Sequence, residues 1–67
     1  MTVFKTIEVM SESSKSWEDA VENVIKEASD SVDDIQSVWV KDQTATVKNG
    51  KLDTYRVNCK VTFKVKK

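Results

Sequence analysis

Residues 37–52, SVWVKDQTATVKNGKL, read as a strand that enters an Asn-Gly turn and leaves it again. The placing of that turn decides which way each neighbouring side chain faces. A type I′ hairpin needs positive φ at both central positions, and Asn49-Gly50 is the pair best suited to supply it. With these two residues as the whole loop, directly opposed residues sum to 99 and share a face of the sheet. Val38 then opposes Val61 and Val40 opposes Cys59, whereas Ser37 opposes Thr62, Trp39 opposes Lys60, Lys41 opposes Asn58 and Gln43 opposes Arg56. The last strand alternates without a break, with Tyr55, Val57, Cys59, Val61, Phe63 and Val65 on one side and Arg56, Asn58, Lys60, Thr62, Lys64 and Lys66 on the other. Trp39 falls on the polar face. A three-residue loop with a bulge would reverse that parity.

Upstream of the hairpin, Thr2 to Met10 is rich in β-branched and aromatic residues and reads as a strand, with Ser11 to Ser16 as the loop after it. Ser16 with Asp19 three residues on resembles a capping box, and Glu18 and Asp19 put negative charge at the positive end of a helix dipole. Trp17, Ala20, Val21, Val24, Ala28 and Val32 recur at three- and four-residue spacing, which makes one buried stripe with Trp17 as its first-turn anchor. Asp30, Asp33 and Asp34 are unfavourable at the negative end of that dipole, so the helix should end near Val32. The three carboxylates invite a cation, but the spacing and the glycine of a calcium loop are missing, and no metal site is expected.

The order is strand, helix, strand, strand. A crossover helix makes the first two strands parallel, and the hairpin partner, antiparallel to both, fits between them. The expected fold is α+β, a β-α-β-β unit in which one helix covers one face of a three-stranded antiparallel-type sheet, with residues 1–67 as a single domain. Nothing within one copy covers the other face.

Composition narrows the possible partners. Eleven basic residues balance eleven acidic ones, so no nucleic-acid partner is expected, although Lys60 to Lys67 hold four lysines and no acid. No apolar run approaches the roughly 20 residues of a membrane span, and MTVFKTIEVM is too polar for a signal peptide, so a cytoplasmic protein without a membrane partner is expected. One cysteine and no histidine exclude an intrachain disulfide and a Cys/His metal cluster within one copy. Below about 70–80 residues a lone core rarely supplies more than about 3–5 kcal/mol without a disulfide, a metal or association. Self-association is the remedy left open here.

An indole ringed by Ser37, Lys41, Gln43, Arg56 and Lys60 on the face away from the helix is not a monomer's core residue. It suits a flat heteroaromatic ligand, which it can stack while its polar neighbours fix orientation, or a subunit interface that covers the bare sheet. Enzymatic activity is not expected: no nucleophile–base pair is suggested, and Cys59 falls on the core face as an inert small hydrophobe.

The run of VFKTIEV, SWEDAVENVIKEAS, SVDDI, VKDQTATV, NGK and YRV..KVTFKV resembles the dodecins over essentially the whole chain. The resemblance implies a homododecamer, a hollow shell that binds and stores or sequesters flavin, riboflavin or FMN, without catalysis. Dodecins of the familiar kind stack paired flavin rings between two symmetry-related tryptophans, with a glutamine of the last strand at the ring edge. Counted without gaps, that tryptophan position is Ser37, and Trp39 follows two residues later on the same face, a displacement of roughly 6–7 Å. The glutamine position is Arg56, which donates but cannot accept, and Gln43 is expected to face it across the hairpin and supply the acceptor. Ser37, Trp39, Gln43 and Arg56 are thus the candidate flavin-binding residues, with Arg56 and Lys64 available to a phosphate. The alternative is a dodecin-like shell that holds another small ligand or a cation, or that is purely structural.

Overall fold

The computed structural model describes residues 2–65. Its elements are β1 (Val3–Ser13), α1 (Trp17–Ser31), β2 (Ile35–Lys48) and β3 (Lys51–Val65). The place expected for Lys66 on the polar face lies outside the described residues.

The helix starts and stops for local reasons. The Ser16 hydroxyl accepts from the Asp19 N–H at 3.0 Å, the cap expected from the sequence. The Asp19 carboxylate does not complete the reciprocal box; it accepts from the Ser13 hydroxyl at 2.6 Å, and the Ser13 oxygen in turn accepts from the Lys15 and Ser16 N–H groups. Ser13 is buried and so ties the end of β1 to the first turn of α1. At the other end, Val32 takes extended backbone while its N–H still donates to the Ala28 carbonyl. Asp34 then has φ 62, a left-handed conformation that aspartate tolerates better than most residues, and leads the chain into β2.

β1 ends three residues later than the sequence suggests. Ser11, Glu12 and Ser13 pair with Val57, Arg56 and Tyr55 instead of forming a loop. The ladder can hold these polar residues because Glu12 meets Arg56 across the strands at 2.5 Å and Ser13 is satisfied by the helix cap.

The sheet order is β1-β3-β2, with β3 antiparallel to both neighbours. Its middle position explains why β3 supplies the fully buried strand residues Val57, Cys59 and Val61, which pack on Ala20, Val24 and Ala28 of α1. Ile7, Val9, Val38 and Val40 flank that core from the outer strands, and Trp17 and Val21 from the helix. Trp17 also meets Tyr55 edge-to-face, with centroids 4.8 Å apart, and its indole N–H donates to the Thr44 carbonyl at 3.0 Å.

Asn49 and Gly50 have φ 53 and 74, as a type I′ turn requires. Opposed residues sum to 99 next to the turn and again from Ser37 to Val40, but two irregularities lie between. Asp53 is the extra residue on β3 and Lys41 the extra residue on β2, and the second cancels the first. Between them the pairing stands one residue out: Asp42 opposes Asn58, Gln43 opposes Val57 and Thr44 opposes Arg56. The expected Lys41–Asn58 and Gln43–Arg56 pairs are therefore not made. The hairpin also outruns β1, whose last pair is Ser13–Tyr55. Val47 and Leu52 oppose each other near its tip and are both exposed.

Candidate functional site

The sheet face away from α1 is a set of rows running β1–β3–β2, because the two registers share β3. One row is Glu8–Lys60–Trp39, and on one side of it lies Thr6–Thr62–Ser37. On the other side come Met10–Asn58–Asp42, with Lys41 beside Asp42 at the bulge, and then Glu12–Arg56–Thr44. Phe4 and Lys64 pair beyond Thr6 and Thr62. Three large apolar side chains stand in the open among these groups: Trp39 at 59 % exposure, Met10 at 73 % and Phe4 at 52 %.

Trp39 stands in the row predicted from the turn, directly opposite Lys60, whose ammonium lies 5.7 Å from the ring centroid. This is a cation–π contact on an exposed surface. Ser37 lies on the same face one row away, opposite Thr62. Arg56 is two rows from Trp39, a strand distance of roughly 13 Å, so it does not ring the indole. Its Nε donates to Glu12 at 2.5 Å. Gln43, opposite the buried Val57, has crossed to the helix side of β2 and does not face Arg56; the Lys41 bulge is the cause. The structure thus brings Ser37 and Trp39 together and separates both from Arg56 and Gln43.

Two cross-strand charge pairs order the rest of the face. Lys41 reaches over β3 to Glu8, with Nζ 3.7 Å from the carboxylate. Hydrogen bonding from the Asn58 amide and then the Lys41 charge hold the Glu8 carboxyl below its usual range. The Glu12 carboxyl is lowered chiefly by its hydrogen bond from Arg56. The Asn58 side-chain oxygen is buried without a partner. A shallow depression of about 290 Å³ adjoins it, lined in part by Met10, Asp42, Thr44 and Arg56.

The contributions of Glu8 and Glu12 were missed in the sequence, though a signal for them exists. Glu8 and Glu12 are four apart on β1, and Arg56 and Lys60 are four apart on β3; one antiparallel register sets both acids opposite both bases. The acidic residues near the end of α1 behave differently. Asp34 accepts from Gln36 through its backbone and side-chain oxygens, and among the described residues no three His, Cys, Asp or Glu side chains gather as a metal-binding group.

The family model described as Dodecin matches residues 3–66. The chain belongs to the dodecin family. It is 38 % identical over 66 residues to the calcium dodecin of Mycobacterium tuberculosis, an alignment that covers 98 % of this chain and 93 % of that one. The crystal structure of the calcium-chelating calcium dodecin from the same organism, with a novel calcium-binding site, superposes with a TM-score of 0.81 at 40 % identity, covering 96 % of this chain and 91 % of that one. A mutant dodecin from T. thermophilus matches the fold at TM-score 0.94 and 21 % identity, with both chains covered in full. The expected β-α-β-β architecture is accordingly that of the dodecin family, and the bulge that separates Gln43 from Arg56 is a feature of this dodecin-family chain described above.

Proposed function

We propose that this protein is a binding and storage protein, not a catalyst, which assembles into a dodecameric shell and holds a flavin on Trp39. The observation that carries the reading is a tryptophan 59 % exposed on the outer strand β2, on the sheet face away from the helix and flanked by hydrogen-bonding side chains. An indole in this setting gains by stacking a flat heteroaromatic ring, and Ser37 and Lys60 are the groups placed to meet that ring's edge. Ligand sites usually enclose roughly 70–90 % of a small molecule. One copy offers Trp39 only as an open platform, so a second copy is needed to close the site, and the small core argues for association on its own. Arg56 and Gln43 fall outside the reach of a ring stacked on Trp39 of the same copy.

The test is flavin-fluorescence quenching with riboflavin and FMN on the wild type and on Trp39→Ala, with assembly size followed by light scattering. Stacking predicts an intact assembly and a loss of about 1 kcal/mol in binding, more if the ring is clamped on both sides. A Trp39→Ala protein that keeps its assembly and its flavin affinity would remove Trp39 from the site.

A second reading, a calcium-binding shell, is favoured by the relatives named calcium dodecin and by the unpartnered Asn58 oxygen, which has Asp42 across the strand. Hard oxygen donors of this kind suit calcium. Calorimetric titration with calcium in the same experiment separates the readings: calcium uptake without flavin quenching selects the second.

A further inference from the structure

We propose that Lys60 selects the charge of the ligand on Trp39, favouring a planar molecule that carries a phosphate over its neutral counterpart; this rests on the reading of Trp39 as a flavin platform. The far face carries Lys41, Arg56, Lys60 and Lys64 among its described residues. Two of these are committed, Lys41 to Glu8 at 3.7 Å and Arg56 to Glu12 at 2.5 Å. Neither of those ion pairs takes up Lys60, and its ammonium rests 5.7 Å from the centre of the Trp39 ring, directly across the strands. The carboxylate opposite it on β1, Glu8, is engaged by Lys41 and feels the Lys60 charge more weakly.

An ammonium on an exposed indole is held weakly and sits on a flexible four-carbon stem. A flavin that stacks on Trp39 meets this ammonium at the ring. If the ligand brings a phosphate, Lys60 exchanges the indole for a charge-assisted hydrogen bond. If the ligand is neutral, Lys60 gives up the indole for water and the exposed Glu8 carboxylate opposite it, an exchange that gains little. Arg56, the residue that the sequence offers to a phosphate, lacks this freedom because Glu12 holds its Nε two rows away. Lys64, on the same face roughly 13 Å further along β3, adds to the positive field at that end.

The experiment is a flavin-fluorescence titration with FMN and with riboflavin, on the wild type, Lys60→Met, Lys60→Arg and Arg56→Met, at low and high salt. The wild type should prefer FMN. Lys60→Met, which keeps the stem and removes the charge, should lose roughly five- to tenfold in FMN affinity without weakening riboflavin, and Lys60→Arg should restore the preference. Arg56→Met should leave the FMN-to-riboflavin ratio unchanged. In the wild type alone, salt should narrow that ratio, since an exposed ammonium–phosphate contact is screened. A ratio unchanged in Lys60→Met, a ratio lost in Arg56→Met instead, or a salt-independent ratio would each overturn the role of Lys60 and leave the flavin reading standing. A wild type that quenches neither flavin would overturn both.

Discussion

Cys59 and Trp39 lie one row apart on strands that face each other, yet their chemistry is opposite, because alternation sends one to each side of the sheet. Cys59 is wholly buried among Val57, Val61 and the helix, and burial pushes its thiol above the usual range. At neutral pH the reactive thiolate is therefore scarce as well as shielded. Labelling with a thiol reagent should be slow in the native protein and rapid in denaturant. Rapid labelling without loss of circular dichroism would mean that the two faces are exchanged, with Trp39 in the core. Both assignments were legible in the sequence because Ser37 to Val40 keep the register set by Asn49-Gly50. Gln43 was not legible, since the Lys41 bulge moves it to the other face. Neither Lys41 nor Asp53 is a glycine, and two irregularities that cancel leave the alternation on either side undisturbed.

At the scale of elements, the helix was readable from its stripe and cap, and its end at Val32 from the acidic residues beyond it. The β1 terminus was not. Ser11 to Ser13 look like a loop by composition, and only the partners on β3 and α1 make them a strand. The capping box shows the same limit: the Ser16 half forms, while Asp19 turns to Ser13, a residue from another element. Ser16→Ala should cost about 1 kcal/mol in urea unfolding, the usual value of an N-cap. Ser13→Ala should cost at least as much, because it leaves the Lys15 and Ser16 N–H groups without their acceptor in a part-buried setting and removes the hydroxyl that binds Asp19. If Ser13→Ala proved neutral while Ser16→Ala did not, the link between β1 and α1 would be dispensable, and the length of β1 would have to rest on the Glu12–Arg56 pair.

For the whole molecule, the question is what covers the surfaces that one copy leaves bare. The buried core is a small set of side chains, three from α1 and three from β3, while Phe4, Met10, Trp39, Val47 and Leu52 remain exposed. They fall in two places: the first three on the sheet face away from the helix, the last two on the hairpin that outruns β1. A single flat contact cannot cover both, and the proposed shell of twelve offers more than one kind of interface to do so. Light scattering should report about twelve subunits, and dilution should lower the melting temperature, since stability that comes from association depends on concentration. Val47→Asp should shift the distribution toward smaller species while β1, α1 and the core, which Val47 does not touch, keep their circular dichroism. Trp39→Ala acts on the other surface: if the indole binds ligand it should leave the particle size unchanged, and if it is an interface residue it should reduce the size as Val47→Asp does. A stable monomer at micromolar concentration would end the shell, and with it any ligand site that a second copy must close.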